Sequence, residues 1–225
     1  FKPEPIWIIN ISGGLNFPDN KVIQTYSVVH PDDATGLASY QSLTGFQLNS
    51  GIEKRIYGNL WIEAGFGFRG TGYKHTLDSV QGTTIYYSEK LNYFDFPLSL
   101  KYYFLKGRLK PFMQAGVNFS WMLQAYGTSS REGQENIVNR TPLRNNFDIG
   151  YFGMVGATFA FKEFSIFGNA GYTYFPDLVN KEGMRYADDV NLYQYYYVDD
   201  DFKMNNFQIN AGVAYTLSYK ITKMK

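Results

Sequence analysis

The chain has 225 residues, 19% of them aromatic and 18% charged, with no cysteine and a net charge of +1. That length calls for one domain, 1–225, while the lack of cysteine excludes a disulfide scaffold, a zinc–cysteine centre and thiol catalysis. The near-zero net charge gives no general pull toward nucleic acid. No run approaches the roughly 18 consecutive apolar residues of a spanning helix, so any membrane crossing has to use strands.

The opening Phe1, Lys2, Pro3, Glu4, Pro5 reads as a mature or trimmed N-terminus, so export is an expectation rather than an observation. Period-two alternation then predicts eight strands, at Ile6 to Phe17, Ser42 to Arg55, Leu60 to Tyr73, Leu91 to Phe104, Lys110 to Ala125, Asn146 to Phe161, Phe164 to Tyr174 and Lys203 to Lys220. From Leu60 onward, Leu60, Ile62, Ala64, Phe66 and Phe68 share one face, and Trp61, Glu63, Gly65, Gly67 and Arg69 share the other. A half-buried strand of a soluble sandwich puts lysine and glutamate on its wet face, whereas these polar faces are rich in glycine, serine and asparagine, as a cramped interior demands.

Three joins are hairpin turns: Ile56 to Asn59, Leu105 to Leu109 around Gly107, and Lys162 with Glu163. The joins Pro18 to Gln41, Lys74 to Lys90, Tyr126 to Asn145 and Phe175 to Phe202 are long and read as exposed loops. Strict alternation of short and long joins predicts an all-β fold, an eight-stranded up-and-down antiparallel transmembrane β-barrel with four long extracellular loops. An even strand count then puts both termini in the periplasm. Outward-facing positions include Trp7, Ile9, Ile11, Leu15 and Phe17, then Phe94, Phe96, Leu98, Leu100 and Tyr102, then Met113, Ala115, Val117, Phe119, Trp121 and Leu123. Aromatic residues crowd the strand ends, where amphipathic rings favour the headgroup zone. A soluble lipocalin-like barrel also has eight strands, but it would be charged outside and apolar inside.

The run Tyr93, Phe94, Asp95, Phe96, Pro97, Leu98, Ser99, Leu100, Lys101, Tyr102, Tyr103, Phe104, followed by Lys110 to Val117, resembles the central hairpin of the PorT-like outer-membrane barrel family of Bacteroidota. Ile11 to Phe17 and Phe207 to Tyr215 are similar to that family's opening and closing strands. The resemblance implies an eight-stranded barrel in the bacterial outer membrane, among its lipid and lipopolysaccharide, and association with type IX secretion, gliding or envelope assembly. The ending Ile221, Thr222, Lys223, Met224, Lys225 departs from the terminal aromatic usual for such barrels. It leaves two readings, a short tail or a shifted final strand.

Alternation places Glu53, Arg55, Glu63, Arg69, Asp95, Lys101 and Asp148 inside. An eight-stranded interior is just filled by side chains, and buried charges must pair, so these residues predict a plugged core rather than a charged constriction. His30 and His75 are the two histidines, and Ser27, Ser79 or Ser88 could supply a hydroxyl for a lipid-modifying hydrolase, although nothing in the sequence fixes such a geometry. Asp188, Asp189, Asp199, Asp200 and Asp201 are hard oxygen ligands without the spacing of a calcium loop. No catalytic residue, cofactor or metal is assigned. Tyr193, Tyr195, Tyr196 and Tyr197 form a rigid amphipathic cluster suited to anchoring a protein partner. Asp78, Ser79, Val80 matches the short sequon for O-glycosylation used by that phylum, at Ser79. The expected function is a non-enzymatic structural or accessory subunit of an envelope complex; the alternative is a narrow channel or a lipid-modifying enzyme.

Overall fold

A computed structural model describes residues 6–24, 39–80, 83–131, 134–181, 183–184 and 200–217. Its strands, in chain order, are β1 (Trp7–Gln24), β2 (Ser39–Leu43), β3 (Gly45–Tyr57), β4 (Leu60–Val80), β5 (Thr83–Tyr103), β6 (Leu109–Arg131), β7 (Gln134–Asn139), β8 (Phe147–Phe161), β9 (Phe164–Tyr174) and β10 (Asp201–Leu217). A short 3₁₀ turn, Thr141–Leu143, follows β7.

Among the described residues, eight strands close an antiparallel ring in the order β1, β3, β4, β5, β6, β8, β9, β10. Closure is made by the register Trp7↔Leu217 to Phe17↔Phe207 between the first and last strands. The other two are additions to it: β2 pairs with the far half of β4, and β7 with the far half of β6. A closed ring leaves no edge strand, so every barrel strand has hydrogen-bonding neighbours on both sides.

Period-two alternation decides which face of each strand meets which surroundings. Ile11, Ile52, Leu98, Val155, Ile166 and Val213 are between 43% and 65% exposed, while Asn10, Glu53, Ser99, Lys101, Asn118 and Asn210 are buried. An apolar band of that extent on the outside of a monomer is a surface made for lipid rather than water. This reversal disposes of the lipocalin arrangement.

The turns follow their chemistry. Tyr57↔Leu60 closes on two residues, with Gly58 at φ 54°, a left-handed conformation that glycine adopts without steric cost. The equally short turn between β8 and β9 puts Lys162 at φ 55°, where a side chain costs about 1–2 kcal/mol. Pro97 has no backbone donor, and the pairing of β4 with β5 lapses between Ala64↔Leu98 and Gly67↔Asp95.

The strands outrun their expected limits. β1 continues to Gln24, paired with β10 as far as Gln24↔Asp201 past a shift in register after Val22, and β4 and β5 form one hairpin up to Val80↔Thr83. The expected loop Lys74 to Lys90 is therefore mostly sheet, and so is Tyr126 to Asn139. Its aromatic and threonine side chains favour pleated structure, and the alternation persists: Tyr73 and His75 face in, as do Tyr87, Glu89 and Leu91. A bulge between Asn92/Tyr93 and the facing strand leaves Leu123 and Gln124 both outward, so that Met122 and Ala125 both point inward. The final strand begins at Asp201 and is described to Leu217; Tyr219 and the chain end lie outside the described residues.

Candidate functional site

The interior is stacked in layers between a turn end, where the three short turns lie, and a loop end. Nearest the turn end, Ile8, Trp61, Tyr103, Phe112 and Ala214 form an apolar layer with Phe167 packed against it. It is the floor of a vestibule of about 620 Å³ that opens between the short turns.

Above it, β3 and β4 place Glu53 directly opposite Glu63. Like charges facing each other across a sheet repel, and Lys101 on β5 resolves this by donating to Glu53 Oε1 at 2.6 Å and Glu63 Oε2 at 3.0 Å. Asn10 donates to both carboxylates, Tyr103 to Glu53, and Gln114 to Glu63. With the ammonium and both carboxylates hydrogen-bonded, the desolvation cost of the buried ions is offset.

A polar cavity of about 70 Å³, lined by Asn49, Asn118, Asn169 and Gln208 among others, lies at mid-barrel. A polar cavity of that size can hold ordered water. Beyond it Arg69 grips Asp95 through two bonds, Nε to Oδ2 at 2.7 Å and Nη2 to Oδ1 at 3.2 Å, and Ser120 donates to the same carboxylate. The guanidinium is sandwiched between Tyr93, 4.4 Å from the ring centre, and Phe175, 5.0 Å away.

Among the described residues, the loop end is capped by packed side chains. Tyr73, Tyr87, Leu91, Tyr93, Met122, Val179, Phe202 and Met204 pack across the mouth, and two chain segments are zipped together over them. The amide of Asn145 donates to the carbonyl of Val179, that of Lys181 to Leu143, and that of Val179 to Phe202. Arg144 reaches down from this lid to Glu89 on the barrel wall, with Nε to Oε1 and Nη2 to Oε2 both at 2.6 Å and both side chains fully buried. Tyr73 and Tyr87 donate to Glu89 Oε2 at 2.9 and 2.6 Å. Gly127 makes room for this latch, since a Cβ there would lie 2.3 Å from the Tyr87 hydroxyl.

The structure thus brings together five of the seven inward charges expected from the sequence, as Glu53–Lys101–Glu63 and Arg69–Asp95. The other two lie at opposite ends of the interior, Asp148 beside Arg69. Arg55 is half-buried at the turn-end rim, where it donates to the Gly58 carbonyl. Asp148 is half-buried near the lid and accepts from the amide of Ile149. Glu89 and Arg144 escape the sequence reading because both fall in segments read as loops. The continuing alternation from Tyr93 through Leu91 is a usable signal for Glu89; none marks Arg144.

Tyr193, Tyr195, Tyr196 and Tyr197 lie outside the described residues, as do Asp188, Asp189, Asp199, His30 and Ser27. Ser79 belongs to the loop-side end of β4, not to a loop. Asp200 is buried and accepts from Tyr40 at 2.7 Å. His75 is buried and stacks on Tyr40 with 4.5 Å between ring centres. Among the described residues, no group of three or more histidine or carboxylate side chains is gathered to hold a metal.

No curated protein matches the chain. Among solved structures, the outer membrane protein OprG from Pseudomonas aeruginosa is 12% identical, with 96% of this chain and 99% of that one covered at a TM-score of 0.55. A major outer membrane protein from Thermus thermophilus is 14% identical over 94% of this chain and 99% of that one, at a TM-score of 0.45. The family model for an outer membrane protein beta-barrel domain matches residues 7–176, which takes in every strand of the ring except β10. The chain belongs to that outer-membrane β-barrel family.

Proposed function

We propose that the protein is a non-enzymatic structural or accessory subunit of a larger envelope complex, of the type IX secretion, gliding or outer-membrane assembly kind associated with the PorT-like barrels of Bacteroidota. The observation that carries this reading is the filled interior, with its charges paired and its loop end packed. A barrel whose charges are spent on one another and whose loop end is latched by Arg144 and Glu89 has its surfaces left for other work. The short turns and both termini face the periplasm in this reading, and the long joins face outward. The tyrosines at 193–197 are the outer anchor for a protein partner, since clustered aromatic residues with a polar surround are the usual anatomy of an interface hot spot.

The test is affinity purification from native membranes after mild solubilisation, comparing wild type with the combined variant Tyr195→Ala, Tyr196→Ala, Tyr197→Ala. A discrete set of envelope proteins is expected with wild type. The variant should lose at least one of them, as the removal of about 2 kcal/mol or more at a hot spot predicts. Recovery of lipid and lipopolysaccharide alone, with both proteins folded, would contradict the proposal. The mid-barrel cavity favours a second reading, a narrow gated channel, which single-channel recording distinguishes.

A further inference from the structure

The turn end of the barrel carries a group of cations. The side chains lining the turn-end vestibule include Arg55, Lys106, Lys110 and Lys162 at its rim, while its acid, Glu53 at the base, is already bound by Lys101. Lys106 and Lys162 are exposed, and Lys110 is half-buried at the rim. Lys162 also occupies the left-handed turn position where glycine is the low-strain residue, so backbone strain is tolerated while a cation is held at the rim. The floor is aromatic, built from Trp61, Tyr103 and Phe167. Its volume of about 620 Å³ lies in the range of ligand pockets.

We infer that this vestibule is a socket for an acidic peptide segment of a soluble periplasmic partner, one that sets carboxylates against the rim and an apolar side chain on the aromatic floor. Charge complementarity selects the class: a cationic rim over a low-dielectric floor attracts and orients an anionic chain. The socket opens between the turns and along the barrel axis, away from the apolar band that contacts lipid. The chain's own C-terminal residues 218–225 are a poor occupant, because they carry Lys220, Lys223 and Lys225 and no acid. The inference rests on the accessory-subunit reading for its orientation and adds a second docking surface, distinct from the tyrosine segment.

Full-length protein in phosphatidylcholine nanodiscs is titrated with a fluorescein-labelled glutamate-rich peptide ending in phenylalanine, followed by fluorescence anisotropy. A lysine-rich counterpart serves as the control peptide. The acidic peptide should bind, with an affinity that falls as salt rises, and the lysine peptide should not. The double variant Lys106→Glu, Lys162→Glu should weaken binding about tenfold or more, whereas Lys74→Glu, an exposed lysine at the other end, should leave it unchanged. Equal binding of both peptides, or an unchanged affinity in the double variant, overturns the socket. Loss of binding when phosphatidylglycerol is added to the nanodiscs overturns it too, because the rim would then belong to lipid headgroups. Native-membrane purification separates the two levels. Retention of every partner by Lys106→Glu, Lys162→Glu refutes the socket alone, while no partner with wild type refutes the complex itself.

Discussion

Replacing Arg144 by alanine should unlatch the loop end. The guanidinium holds Glu89 through two bonds of 2.6 Å, and neither side chain is exposed. Removing one partner of a buried, hydrogen-bonded ion pair costs about 3–5 kcal/mol, because the other charge is left in a low-dielectric site. Tyr73 and Tyr87 still donate to Glu89, which puts the cost at the low end, about 3 kcal/mol. The loss is expected in local opening of the lid rather than in the ring, whose strand pairing the substitution does not touch. At about 1.4 kcal/mol per decade, amide exchange at Asn145, Val179 and Lys181 should accelerate by about two orders of magnitude. Those three amides carry the lid's backbone bonds. The double variant Glu89→Gln, Arg144→Met keeps an acceptor for the tyrosines and removes both charges, so it should restore most of the protection. Unchanged exchange at Val179 and Lys181 in Arg144→Ala would show that the lid is held by its packing alone and would refute the latch.

Leu98→Arg places a charge in the lipid band and should cost about 2–4 kcal/mol in unfolding measured in lipid vesicles; an unchanged value would mean that the face assignment is wrong. Lys162→Gly removes the left-handed strain and should stabilise the barrel by about 0.5 kcal/mol after allowing for the added freedom of the unfolded chain, as urea unfolding would read; a loss of stability would contradict the strain argument. Protease added to intact cells should cut within residues 185–199 and spare Gly107, whereas cleavage at Gly107 would invert the proposed orientation.

The alternation that separates Leu98 from Ser99 and Lys101 is a local property, so the ring is legible in the order of residues alone. Pairing across the ring is not local. Glu53, Glu63 and Lys101 share the inward phase, but only the stagger between β3, β4 and β5 puts the lysine between the two carboxylates. The strands exceed their expected lengths for a related reason. A bilayer crossing needs about 9–11 residues, yet β4 and β5 continue well past that because Tyr73, Tyr87 and Leu91 find a core to bury in at the loop end. That core depends on Val179 and Phe202 arriving from distant segments. The lid itself leaves no trace in the sequence, since Arg144 and Asn145 lie in a stretch without periodicity and gain their partners only once the ring has closed.

The claim that the barrel is closed, with its function on its surfaces, is tested most directly by single-channel recording of the wild-type protein in planar bilayers. Silent membranes, with insertion verified by protease protection, are predicted across the full voltage range. Discrete, reproducible conductance steps from the wild-type protein would contradict the account and make the mid-barrel cavity part of a path.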